Sequence, residues 1–273
     1  MTQILKFIVC LWLFFQAEHF CQKQTDGFTV LRVQPKQSYP AFDVESPEWS
    51  LPPQRFVYLA RGAQCYVFAS EDGKYVLKLF KKAHLLPSVW SHIPLINRLK
   101  PFKPSKMERM RVKQQRDYMG YKVAFERFRE DTMLTYLHLN PTEMNLPTVT
   151  IVDKIGIEHQ IDLNKTSFAV QKRVLSFNEW LAGSTDAEVQ KGIQDIAAFF
   201  QKRVAAGVSD NDSAPYNFGF FEGRPIQIDP GHYELFTGNP ELELVNMKKR
   251  FIKWMRKNKP ELVTYVQTAI PDR

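Results

Sequence analysis

The amino-acid sequence predicts an α+β fold of two lobes, and three observations point to it. Residues 55–82, RFVYLARGAQCYVFASEDGKYVLKLFKK, alternate apolar and polar side chains and are rich in β-branched and aromatic residues, the pattern of short antiparallel strands. Residues 105–139 carry a long helical pattern, and two further strand-like runs follow it. From residue 177 onward helical patterns dominate, interrupted by a small hairpin within residues 207–232. A first lobe at 54–173, with a five-stranded sheet and one long helix, and a truncated, mainly helical second lobe at 174–273 account for this order.

The chain has 273 residues, 44% of them hydrophobic, which is enough for a real core. Its net charge of +8 attracts phosphate-bearing partners such as nucleotides or an anionic membrane surface. Much of that excess lies between Lys100 and Arg129 and reads as a solvated helix face. No interleaved aromatic platform accompanies it, so nucleic acid is not an expected partner. Nothing in the pattern calls for an oligomer, and a monomer is expected.

At the N-terminus Lys6 leads into FIVCLWLFF, an apolar run too short to span a bilayer. Residues 1–21 therefore read as a secretory signal peptide, with cleavage after Ala17, or alternatively as a membrane anchor. Export would make the protein secreted or envelope-associated. Cys21 invites a lipoprotein reading, but Glu18, His19 and Phe20 do not form a lipobox. Residues 22–53 are polar, carry prolines from Pro35 to Pro53 and show no periodicity, so they read as a linker or loosely packed arm. Three strands follow, with Gly62 in the first turn and Asp72-Gly73 as a type I′ hairpin signal in the second. Prolines between residues 83 and 105 mark an irregular insertion. The helix at 105–139 takes Ser105 as N-cap and Pro141 as its stop, and Glu126 and Glu130 share one face at i and i+4. Strands are expected at 148–154 and 167–173, with a turn and a short strand between them. Helices are expected at 177–181, 186–206 and across the basic tail at 240–270.

The candidate site lies in GVSDNDSAPYNFGFFEGRPIQIDPGH, residues 207–232. It places Asp212, Asn217 and Asp229 on two turns joined by a hairpin. Carboxylate and amide oxygens suit a hard divalent cation and its phosphates. Cys10, Cys21 and Cys65 lack metal-ligand or disulfide spacing, and the histidines form no ligand pair. Asn164 and Asn211 open glycosylation sequons.

In order and spacing these features resemble the protein-kinase-like fold. Gly62 and Val67 match the second glycine and the valine of a glycine-rich loop, with Ala60 and Cys65 at the other two glycine positions. Lys78, 11 residues after Val67, stands where the family's strand-borne lysine grips the α- and β-phosphates. Glu130 is the favoured orienting carboxylate and Glu126 its rival. Gln171 takes the gatekeeper position, and residues 172–174, ending at Val174, offer backbone groups to adenine. Asp212 and Asn217 have the spacing of the catalytic loop, and Asp229 matches the metal-binding Asp-Phe-Gly with Pro230 in place of Phe. The resemblance implies ATP and Mg²⁺ as cofactors, Asn217 and Asp229 as metal ligands, and Asp212 as acceptor of a substrate hydroxyl proton. Departures are specific: Asp210-Asn211 replaces the usual His-Arg, Ala214 replaces the loop lysine, and only residues 232–273 follow Gly231. The pattern is closer to small atypical kinases, such as lipopolysaccharide-sugar and aminoglycoside phosphotransferases, than to regulated protein kinases. It implies transfer of the ATP γ-phosphate to a hydroxyl of a small molecule, glycan or lipid, with protein the less expected acceptor. The same departures also suit an exported pseudokinase serving as a nucleotide-sensing or protein-interaction module.

Overall fold

The structure, a computed structural model, describes residues 2–34, 38–82, 104–236 and 238–269. The expected insertion at 83–105 falls, as far as residue 103, outside them. The chain divides into two compact units, one of Met1–Lys103 with His138–Val170, the other of Pro104–Leu137 with Gln171–Arg273.

In the first unit, helix α1 (Thr2–Gln24) opens the chain and exposes Leu5, Phe7, Trp12 and Phe14. Among the described residues, no helix is long and apolar enough to cross a membrane. Strands β1 (Arg55–Arg61), β2 (Cys65–Ser70) and β3 (Tyr75–Phe80) form the expected antiparallel meander. Together with β5 (Thr148–Val152) and β6 (Glu158–Asp162), and with β4 (Leu134–His138) and β7 (Phe168–Lys172), whose residues the division assigns partly to the second unit, they make a seven-stranded sheet in the order β4-β7-β3-β2-β1-β5-β6. The expectation of five strands is thus corrected. LTYLH, assigned from its apolar spacing to a helix, is a strand, and EHQID pairs with β5 along its whole length, from Thr148↔Asp162 to Val152↔Glu158.

The turn between β2 and β3 is also corrected. Gly73 has φ 71°, but Asp72 is not among the residues with positive φ, so a type I′ turn, which needs both, is not formed. Residues 71–74 make a longer loop. There the Ser70 hydroxyl donates to Asp72 at 2.6 Å and accepts from the Tyr75 amide at 2.9 Å.

Residues 25–34 and 38–43 are no loose arm. Phe28, Val33 and Phe42 are buried, and the Phe28 ring meets Tyr66 and Phe68 edge-on at 5.1 and 5.6 Å. Polar ties accompany the packing: Tyr66 donates to the Gly27 carbonyl at 2.7 Å, and Tyr58 donates to Asp26 at 2.5 Å. Three apolar anchors without periodicity leave no strand or helix signature, and so the composition alone reads as linker.

The second unit begins with α2 (Pro104–Arg127) and the short α3 (Arg129–Thr132). The long helix therefore groups with the later helices and not with the first lobe, and it ends well before Leu139. Phe128 leaves helical geometry, and Met133 turns into the left-handed region at φ 51° before β4 begins. Ser105 lies inside the helix rather than at its cap. Two capping boxes start the next helices, Ser176 with Glu179 for α4 (Phe177–Gly183) and Thr185 with Glu188 for α5 (Asp186–Ala205). Strands β8 (Leu175–Ser176), β10 (Phe218–Phe221) and β11 (Arg224–Gln227) form a small sheet, and β9 (Val208–Asp210) pairs with β12 (Tyr233–Leu235). Helices α6 (Pro240–Asn258) and α7 (Val263–Ala269) complete the unit. Its core is aromatic: Phe177, Phe200, Phe218 and Phe251 are buried together, and Trp180 stacks on Phe220 with centroids 3.6 Å apart. Gly192 makes room for that stack, since a Cβ there would stand 2.5 Å from the Trp180 ring.

Candidate functional site

The site in the second unit is built by two loops. One joins β9 to β10 and carries Asp212 and Asn217; the other follows β11 and carries Asp229. The β10–β11 hairpin between them closes through Glu222 at φ 50° and Gly223 at φ 75°, a two-residue type I′ turn whose twist matches the strands. The loops are also bonded to one another. The Ile228 amide donates to the Asn217 carbonyl at 2.8 Å, and the Asn211 amide donates to the His232 carbonyl at 3.4 Å. Asp212, Asn217 and Asp229, 17 positions apart in sequence at the extremes, thus sit on adjacent loops.

Each side chain is held differently. Asn217 is 5% exposed and donates its amide to the Asp212 carbonyl at 2.7 Å, which commits Nδ2 and leaves Oδ1 as an oxygen donor for a cation. Asp212 is half-buried. Its Oδ1 accepts from the Tyr216 hydroxyl at 2.7 Å, and its Oδ2 lies 3.7 Å from His232 Nδ1. Burial, and then the bond to Asp212, push the Tyr216 hydroxyl up to about 12, so it stays a donor at neutral pH. Asp229 is exposed and accepts long bonds to Oδ1 from the Tyr121 hydroxyl at 3.3 Å and the Gly231 amide at 3.4 Å.

Tyr121 comes from α2, which approaches this loop closely. A Cβ on Gly120 would stand 2.6 Å from the Pro230 carbonyl oxygen and 2.8 Å from that of Gly231, so only glycine permits the contact. One turn earlier on the same helix face lies Asp117, 2% exposed. Burial raises its carboxyl to about 7 against the pull of Arg116, whose Nη2 is 3.3 Å from Oδ1, and the nearby Asp229 carboxylate adds to the rise.

Beneath the loops runs a buried network. Arg203 and Asp210 are both fully buried and pair at 3.2 Å. Gln227 donates to Asp210 at 2.7 Å and accepts from Arg203 at 2.7 Å and from the Tyr233 hydroxyl at 2.9 Å. The Asp212 amide in turn donates to Asp210 Oδ1 at 2.9 Å. Asp210, which in the sequence is only a departure from His-Arg, is the buried strut that carries the Asp212 loop.

The remaining expected residues lie as follows. In the first unit, Gly62 closes the β1–β2 turn with its amide on the Cys65 carbonyl at 3.0 Å, and Lys81 donates to its carbonyl. Val67 and Lys78 are direct cross-strand partners, and Lys78 is 6% exposed. In the second unit, Gln171 is buried and donates to the carbonyls of Thr132 and, at 3.2 Å, Gln227; Val174 is half-buried against Gly219. Glu126 and Glu130 do not share a helix: Glu126 ends α2, exposed and 3.9 Å from Lys122, and Glu130 is exposed in α3. Asp117, Tyr121, Tyr216, His232 and the Arg203 network were not marked by sequence reasoning. Tyr216, four residues after Asp212, was the only one with a local signal. The Asn164 sequon is compromised, because its side chain is bonded both ways to the Leu146 backbone, at 3.1 and 2.9 Å.

The donor set fits a hard cation: the Asp229 carboxylate, Asn217 Oδ1 and a buried Asp117 Oδ2 without a hydrogen-bond partner among the described residues. No group of three or more His, Cys, Asp or Glu disposed as metal ligands occurs among the described residues, so the asparagine oxygen is a necessary member.

No family model matches the chain, and no curated protein does. Solved structures do. The chain is similar to WbdD in its co-crystal structure with the kinase inhibitor LY294002, with a TM-score of 0.37 and 11% identity over 78% of this chain and 46% of that one. Another structure of WbdD, described as a bifunctional kinase-methyltransferase, matches with a TM-score of 0.34 and 13% identity over 76% and 43%. The Rv3197–erythromycin complex from Mycobacterium tuberculosis matches with a TM-score of 0.34 and 16% identity over 77% and 53%. The chain spans about half the length of the structures it matches.

Proposed function

We propose that this chain is a kinase-like phosphotransferase that moves the γ-phosphate of ATP to a hydroxyl of a small molecule, glycan or lipid. The observation that carries the reading is the meeting of Asp212, Asn217 and Asp229 on two adjacent, mutually bonded loops. In this reading the substrate hydroxyl oxygen attacks the γ-phosphorus and the bond to the β,γ-bridging oxygen breaks. ADP leaves with that electron pair, and the hydroxyl proton passes to Asp212. Tyr216 holds Asp212 by Oδ1, so Oδ2 is the proton acceptor, and His232 Nδ1 lies 3.7 Å from it. Asn217 and Asp229 would hold Mg²⁺, which would supply charge neutralisation on the phosphate oxygens. Lys78 and the Gly62 to Val67 turn keep the phosphate-binding roles that the resemblance assigns to them, and Gln171 and Val174 those beside adenine.

Purified protein is expected to show a Mg²⁺-dependent thermal shift with ATP. Given an acceptor, Asp212→Ala lowers turnover by roughly 10²- to 10⁴-fold while nucleotide binding persists. No nucleotide binding by the wild type refutes the proposal. Binding without turnover on any hydroxyl acceptor favours the nucleotide-sensing module instead, the reading supported by Ala214 in place of the loop lysine.

We propose further that α6 meets an anionic membrane surface. Lys249, Lys253, Arg256 and Lys257 are exposed around Ile252, line a depression of about 590 Å³, and have no ion-pair partner among the described residues. Basic side chains near an acidic leaflet contribute about 1 kcal/mol each. Sedimentation with phosphatidylserine vesicles is expected to pull down the wild type at low salt, and the fourfold alanine variant is expected to stay in solution. Equal binding to neutral vesicles, or a preference for duplex DNA, removes this partner.

A further inference from the structure

Among the described residues, Asp117 is the one carboxylate near the site that is buried on a helix and only partly compensated. Its Oδ1 pairs with Arg116, which is itself 36% exposed, while its Oδ2 is buried with no hydrogen-bond partner among the described residues. A buried oxygen of this kind is costly unless it is protonated or meets a cation. Its surroundings favour a cation. The point where a Cβ of Gly231 would stand is 3.4 Å from Asp229 Oδ1, 3.6 Å from Tyr121 Cε2 and 3.7 Å from the Asp117 Cβ, so both aspartates, with the Tyr121 ring, border the place that Gly231 leaves without a side chain. Gly120 sets α2 against Pro230 and Gly231 and so holds Asp117 at that distance. Two like-charged carboxylates that border the same glycine, with the oxygen of Asn217 on the neighbouring loop, are a donor set for a divalent cation.

We infer that Asp117 supplies a further oxygen ligand, through Oδ2, to the cation held by Asp229 and Asn217. The inference rests on the proposed metal-binding role of those two residues and extends it to α2. The helix then becomes part of the metal centre and does more than pack against it.

The test is Mn²⁺ titration of the full chain, followed by the loss of the free-ion electron paramagnetic resonance signal, with and without ADP. Asp117→Asn keeps the shape and removes the charge, and it is expected to weaken Mn²⁺ binding by about tenfold or more. Gly231→Ala leaves both carboxylates in place and adds a methyl group at the place they border. Its Cβ would make only ordinary contacts, so the variant folds, and it is expected to weaken Mn²⁺ to a similar degree. Mn²⁺ affinity within about twofold of wild type in either variant, alongside loss in Asp229→Asn, overturns the role of Asp117 and leaves the Asp229 site standing. A wild type that takes up no Mn²⁺ in either condition overturns both.

Discussion

Asp229→Ala is expected to abolish the proposed Mg²⁺-dependent stabilisation by ATP and to leave the free protein's melting temperature nearly unchanged. The two halves of this expectation have separate causes. Asp229 is exposed, and its carboxylate holds only two long hydrogen bonds among the described residues, at 3.3 and 3.4 Å, so its loss costs the fold within about 0.5 kcal/mol. It also relieves the like charge felt by buried Asp117. In the nucleotide complex the same carboxylate would hold the cation that bridges the phosphates. At a ligand concentration 100 times Kd, binding stabilises the wild type by about 2.7 kcal/mol, a shift of several degrees, and the variant should show none of it. Differential scanning fluorimetry with ATP, in Mg²⁺ and in EDTA, measures both quantities. A variant that keeps the Mg²⁺-dependent shift removes Asp229 from the metal site.

Asp210→Ala is expected to have the largest effect on stability. Asp210 and Arg203 are both fully buried, and removing one partner of a buried ion pair strands the other at a cost of about 3–5 kcal/mol. Arg203 has little to fall back on. Its Nε already lacks a hydrogen-bond partner among the described residues, and its remaining contacts are Gln227, Met247 and the faces of Phe199, Phe200 and Tyr233. The Asp212 amide and Gln227 lose their acceptor as well. Denaturant unfolding of the variant should therefore lose at least about 3 kcal/mol relative to wild type, and Asp210→Asn, which keeps an acceptor oxygen, should lose less. A loss below about 1 kcal/mol in Asp210→Ala shows that the pair carries no structural load.

Strands β1 to β3 were legible because alternation and β-branching are local, and their only error, the Asp72-Gly73 turn, is one of detail. Helices α4 and α5 start where the sequence places them, at residues 177 and 186, and the structure shows a capping box at each start. The misassigned element is LTYLH: five residues of mixed apolar spacing are compatible with either a helix or a strand, and only neighbouring strands choose between them. Residues 25–34 and 38–43 failed for the opposite reason, since Phe28, Val33 and Phe42 are single buried anchors and the ring partners of Phe28, which are Tyr66, Phe68 and His159, lie far away in sequence.

By itself the sequence determined which oxygen-bearing side chains sit on the two site loops, because Asp212, Asn217 and Asp229 are tied by a hairpin short enough to be read from its own residues. It also determined the candidate role of each, through spacing that resembles a kinase-like site. Only the tertiary structure decided what surrounds them. Asp117 and Tyr121 reach the Asp229 loop because Gly120 lets a distant helix approach it, and Arg203 reaches Asp210 through a core that no local pattern encodes. The physical reason is the range of the forces involved. Turn and hairpin geometry is set by backbone preferences over a few residues, whereas the burial of Asp117 and Asp210 depends on packing that brings remote segments together.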